Sequence, residues 1–266
     1  MIACQAGQWD AGFEPLAATL RGGQVESVYR GALAVVDTRG ELVGAWGDPD
    51  LPVFLRSAAK PFQALALVES GAADAWQITA EELAVICGSH SGQPEHIAVV
   101  AGLLARLGIS PEVLTCGSLA HTCSGKHAGM LALALHLGVD YEGYADPNHP
   151  VQQAIAHAIS RLLALRTGSR HVPALAGSVF AGPDGCGTPV VRVSLADAAF
   201  LYALLGVGAT PGLKRVRDAM LAHPQMVGGP GRLDTEVMQR TPGLVVKSGA
   251  EGVLDLTLVA GGNRGA

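Results

Sequence analysis

Strand-forming segments stand at the two ends of this 266-residue chain and helix-forming segments fill its middle, with no regular alternation between them. That order argues against a doubly wound parallel sheet, which needs strand and helix in turn. Near the N-terminus, Gln24 to Tyr29 and Ala32 to Val36 carry β-branched residues, and Asp37-Thr38-Arg39-Gly40 reads as a turn before Glu41 to Trp46. In the middle, Pro94 to Leu107 is closed by Gly108, Ala128 to Leu137 is closed by Gly138, and Val151 to Leu165 follows a proline. Thr79-Ala80-Glu81-Glu82 has capping-box spacing and opens a further helix. After Cys186 the pattern predicts a strand over Thr188 to Leu195, helices over Ala196 to Leu205 and Pro211 to Ala222, and closing strands at Gly243 to Lys247 and Val253 to Val259. The expected class is α+β, with one antiparallel sheet formed by the N- and C-terminal strands around a largely helical middle. At 49% hydrophobic residues the chain can bury a substantial core, and residues 1–266 are expected to form a single domain.

Lysine is scarce: only Lys60, Lys126, Lys214 and Lys247 occur, so the other 14 of the 18 basic residues are arginine. Surface charge is left to a guanidinium that never loses its proton, whereas three of the lysines lie in short small-residue turns, where a neutral amine can act as a base. Pro61 places a helix start near Ser57, because proline is tolerated only in the first turn. The spacing of three then sets the Ser57 hydroxyl and the Lys60 amine on one face of that turn. Lys247 follows Leu244-Val245-Val246, so burial would lower its pKa and make it a second candidate base. The Gly-bounded loop Cys87-Gly88-Ser89-His90-Ser91-Gly92 supplies further hydroxyls. Each of these features also has a structural reading: a helix cap, a lysine snorkelling to water, a turn hydroxyl bonded to its own backbone.

Two clusters, Cys123-Ser124-Gly125-Lys126-His127 and Asp184-Gly185-Cys186-Gly187, offer one thiolate each. Together with Lys126 or His127 they would suit zinc, which takes sulfur and neutral nitrogen, and the alternative is two unrelated turn cysteines. Cys87 and Cys116 end apolar runs and read as packing residues. Five cysteines with irregular spacing, Cys4 included, do not make a secreted disulfide framework. The net charge of −5 and the lack of a basic stripe argue against nucleic acid as a partner. With no signal-peptide pattern and no apolar run of bilayer length, no membrane is expected, and the cytoplasm is the expected compartment.

Read jointly, the segments Arg56 to Ala64, Ser89 to His96, Cys123 to Leu131, Asp184 to Gly187 and Lys247 to Gly252 resemble, in order, the motifs of the rhizobial-type (class 3) L-asparaginases. The resemblance implies a fold like that of serine β-lactamases and glutaminases, and a homodimer that hydrolyses the side-chain amide of L-asparagine. It also implies two Ser-Lys tandems, Ser57 with Lys60 and Ser89 with Lys247, in which Ser57 is the nucleophile. Cys123, Lys126 and Cys186 match the zinc ligands, Asp184 an acidic residue between the catalytic and metal sites, and Arg56 and His127 substrate-contacting positions. The chain departs from the family at Cys116 to Thr122, a shorter segment than usual before the Cys-Ser-Gly-Lys-His motif. Two other readings remain open: a zinc-bound hydroxide as the nucleophile, or a Ser-Lys module that binds or senses its ligand without turnover.

Overall fold

The computed structural model describes residues 11–166 and 179–259, and Cys4 lies outside them. Antiparallel hairpins come first: β1 (Glu14–Arg21) with β2 (Gln24–Gly31), then β3 (Leu33–Val36) with β4 (Leu42–Trp46). The second hairpin closes where expected, because Asp37 Oδ1 accepts the backbone N–H groups of both Arg39 and Glu41. A short β5 (Pro52–Phe54) leads into the helical middle: α1 (Lys60–Glu69), α2 (Ala72–Ala75), α3 (Ala80–Cys87), α4 (Pro94–Leu107), α5 (Ser124–Leu137) and α6 (Pro150–Leu163). Helix α3 starts on the capping box foreseen at Thr79 and Glu82, and α4 ends on left-handed Gly108. There follow β6 (Phe180–Pro183), β7 (Pro189–Ser194), α7 (Leu195–Val207), α8 (Pro211–Ala222), α9 (Pro224–Val227), α10 (Leu233–Arg240), β8 (Leu244–Ser248) and β9 (Leu254–Leu258). No single helix among the described residues is long and apolar enough to cross a membrane.

The core lies between α1, α3, α5, α6 and α7, where Phe62, Leu65, Leu83, Leu131 and Leu201 are buried and Phe62 meets Tyr202 edge to face at 5.3 Å. Helix α5 is buried from Ser124 through Ala134, and it begins four residues before the expected Ala128. The cause is its approach to α3: a Cβ on Gly125 would lie 2.3 Å from the Val85 carbonyl oxygen. That contact brings the first turn of α5, with Lys126 and His127, against the end of α3. Gly125→Ala is therefore expected to cost about 3 kcal/mol of stability, read as a drop in the urea midpoint. An unchanged midpoint would show that the helices part without penalty.

The sheet differs from the expectation. Among the described residues the terminal strands do not share one sheet: β8 and β9 pair with each other over Leu244–Ser248 and Leu254–Leu258, and β5 joins β7 and β6. Helix α7 packs under both β3 and β9, and these strands are separated by an apolar cleft. Short connections favour hairpin partners over distant ones, so each end of the chain closes on itself. The architecture is α+β with small antiparallel sheets.

Candidate active site

The chain leaves β5 through Leu55, whose N–H donates to the Val191 carbonyl at 2.9 Å, and enters a 3-10 turn over Arg56–Ala59 that runs into α1. Arg56 turns the corner in the left-handed region, with φ of 51°, a conformation that costs a non-glycine residue about 1 kcal/mol or more. Its Nε–H donates to Asp184 Oδ1 at 2.8 Å. Asp184 opens the β6–β7 turn, which also carries Cys186, so a single turn serves two clusters.

Lys60 is 1% exposed at the start of α1. Its Nζ lies 2.6 Å from the Gly88 carbonyl, 3.2 Å from the Thr122 carbonyl and 3.0 Å from Ser89 Oγ. Burial brings its pKa down to about 8; Cys123 opposes the shift, and the nearby Lys247 and Lys126 add to it. A neutral amine has two N–H groups and one lone pair. The two carbonyls can accept only N–H groups, so in the neutral form the lone pair is left to the Ser89 hydroxyl. The Ser57 hydroxyl makes no hydrogen bond among the described residues.

Lys247 is fully buried at the end of β8 and donates to Asp234 Oδ2 at 2.9 Å and to the Ser248 carbonyl at 2.7 Å. Burial lowers its pKa while Asp234 works against the shift. Asp234 also accepts the Ser248 N–H and hydroxyl. The lysines are thus paired otherwise than the motif order implied: Lys60 meets Ser89, and Lys247 meets Asp234. Asp234 is not marked out in the sequence because an aspartate in the polar first turn of α10 resembles any solvated helix-start residue.

Behind Lys60 sits the sulfur and nitrogen cluster. Lys126 Nζ lies 2.9 Å from Cys186 Sγ and 2.6 Å from Thr188 Oγ1. The Cys123 thiol, followed by His127 and Lys126, holds Cys186 far below the usual thiol range, whereas Cys123, hydrogen-bonded to Cys186 and buried, is pushed up to about 12. The hydrogen bond between the two sulfurs favours the thiolate at Cys186 and the thiol at Cys123. Burial brings His127 down to about 4 and so keeps the ring neutral; its Nδ1 meets Tyr144 Oη at 2.7 Å and Thr115 Oγ1 at 3.2 Å. Its Nε2 is buried with no well-formed hydrogen bond among the described residues, although the ring stands close enough to Cys186 to alter that sulfur's proton affinity. No three His, Cys, Asp or Glu side chains converge as a metal site among the described residues, and the third candidate donor is an amine. Two sulfurs and the Lys126 amine lie in this cluster, and these are donor types that zinc accepts once the amine is neutral. A cavity of about 1510 Å³ is bordered near this region by Arg56, Asp184, Gly185 and Glu251, and most of the rest of its wall is apolar side chains of the strands and of α7.

In an α+β protein, an amine buried against an alcohol is an arrangement typical of hydrolytic enzymes, since packing alone would be served better by an apolar side chain. Comparison narrows the class to the amidohydrolases. The model of the L-asparaginase II family matches residues 17–120 and 117–265; the chain belongs to that family and is an enzyme of the asparaginase type. No curated protein matches it.

Proposed function

We propose that the protein hydrolyses the side-chain amide of L-asparagine to L-aspartate and ammonia through a serine nucleophile and a lysine base. The observation that carries this reading is the Lys60 amine, buried on two carbonyls and 3.0 Å from the Ser89 hydroxyl. Lys60 is the base. Ser57, with no competing partner among the described residues and at the start of the helical turn, is the nucleophile; once substrate is bound its hydroxyl turns to Ser89, and its proton passes through Ser89 to Lys60 as its oxygen bonds to the carboxamide carbon. Main-chain N–H groups at the start of the Arg56–Ala59 turn are the candidate donors to the developing oxyanion. The C–N bond then breaks, ammonia departs with the proton from Lys60, and water cleaves the β-aspartyl ester by the same route. Lys247, held by Asp234, is a fixed cation beside this relay.

Arg56 and His127 are the proposed substrate contacts, with Asp184 orienting Arg56. Cys123, Lys126 and Cys186 would hold zinc, whose bound form supplies a Lewis acid and keeps both sulfurs as thiolates. Two thiolate donors suit a reducing compartment, the cytoplasm. Exposed Leu16, Leu20, Val28, Tyr29 and Leu33 on β1–β3 favour burial in the implied homodimer, and the serine β-lactamase-like arrangement remains part of the same reading.

One preparation of purified protein tests these points together. Ammonia is expected from L-asparagine and at least tenfold less from L-glutamine, whose extra methylene misplaces the amide by roughly 1 Å. One zinc per chain and a solution mass of two chains are expected in the same sample. No ammonia from either amide would sink the enzymatic proposal, and full loss of turnover on chelation with an intact fold would favour zinc-bound hydroxide.

A further inference from the structure

One guanidinium, next in the chain to Ser57, faces two carboxylates. Arg56 gives its Nε–H to Asp184 at 2.8 Å, while Glu251 stands 3.8 Å from Arg56 Nη1, beyond hydrogen-bond length. Asp184 is 14% exposed and Glu251 is 83% exposed. Asp184 therefore already balances the cation, and Glu251 is a surplus negative charge with its oxygens open to another donor.

The backbone holds Glu251 there. It has a left-handed conformation, φ 62°, as Arg56 does at 51°, and each carries the cost of that conformation. Their two turns are pressed together: a Cβ on Gly249 would lie 2.5 Å from the Leu55 carbonyl oxygen, and the Gly249 N–H closes its own turn on Val253 at 2.8 Å. An exposed pair at this distance is worth less than about 1 kcal/mol, too little to explain two strained residues. Both side chains border the cavity that opens beside Asp184 and Gly185. An α-amino acid presents a carboxylate and an ammonium two bonds apart, which matches a guanidinium with a carboxylate alongside.

We infer that Glu251 is a specificity-determining residue: it accepts a hydrogen bond from the α-ammonium of the substrate while Arg56 takes the α-carboxylate. This rests on the asparaginase reading above and adds to it the selection of α-amino acids over plain acid amides. The test compares wild type and Glu251→Gln on L-asparagine and on succinamate, which carries hydrogen in place of the ammonium. A charge-assisted hydrogen bond corresponds to about a tenfold effect, so KM for asparagine is expected to rise about tenfold with kcat little changed. The ratio of kcat/KM for asparagine to that for succinamate is expected to fall by about the same factor, and Glu251→Asp to recover part of it. Equal losses on both substrates, or none on either, would overturn the role of Glu251 and leave the asparaginase reading standing. A wild-type protein that hydrolyses succinamate but not asparagine would overturn both.

Discussion

Lys60→Met is expected to lower kcat for L-asparagine by about 10⁴-fold, and Lys60→Arg by nearly as much, because a guanidinium fills the space but cannot accept a proton at working pH. The arginine variant separates a base from a mere positive charge. In the wild type, the active form is the neutral amine, so the rate should rise with pH through about 8 and level off above it. Between pH 6 and pH 9 the neutral fraction grows from about one in a hundred to about nine in ten, so kcat/KM should increase roughly 90-fold. A rate that peaks below pH 6, or an arginine variant that keeps its turnover, would remove Lys60 from the role of base.

The same burial that leaves part of the amine unprotonated near neutral pH, and so free to act as a base, weakens the fold. A free lysine holds its proton to about pH 10.5 and Lys60 only to about 8, so between those values the unfolded chain binds more protons than the folded one. Stability should therefore rise with pH across that window, and below pH 8 the penalty is present in full, on the order of 3 kcal/mol. Lys60→Met removes this penalty but leaves the Gly88 and Thr122 carbonyls without their donor, and the two effects offset each other. The inactive variant should accordingly remain folded.

Much of the candidate site is legible in the sequence, and the parts that are not share a cause. Local rules found Pro94 to Leu107 with its Gly108 stop, the capping box at Thr79, and the helix start near Ser57, because each depends on residues within one turn of one another. Lysine scarcity drew attention to Lys60, Lys126 and Lys247, all three of which are buried, although burial was expected only of Lys247. Which partner each amine would meet was beyond spacing arguments: Ser89 is 29 residues from Lys60, and Asp234 on α10 is 13 residues from Lys247 on β8. The early start of α5 was hidden for the same reason. Ser-Gly-Lys-His has poor intrinsic claim to a helix, and only the close crossing on α3 makes it one. Sheet pairing failed as a long-range inference, since alternation along a strand reveals its faces and not its neighbour.

Because Lys60 touches Ser89 and not Ser57, the two serines should respond differently to replacement. Ser57→Ala is expected to reduce kcat on the order of 10⁵-fold and to leave no covalent intermediate, since the attacking oxygen is gone. Ser89→Ala removes only the link between that oxygen and the base, so a loss of about 10³-fold is expected, with a β-aspartyl ester still formed on Ser57. Rapid acid quench of each variant on L-asparagine, followed by mass measurement of the peptide that carries Arg56 to Lys60, reads the ester directly. The double variant should be no worse than Ser57→Ala, because residues acting in one relay are not additive. An ester found on Ser89 would transfer the nucleophile to the hydroxyl that the amine already touches, leaving Ser57 as the donor that positions the amide. Turnover surviving in the double variant would exclude both serines.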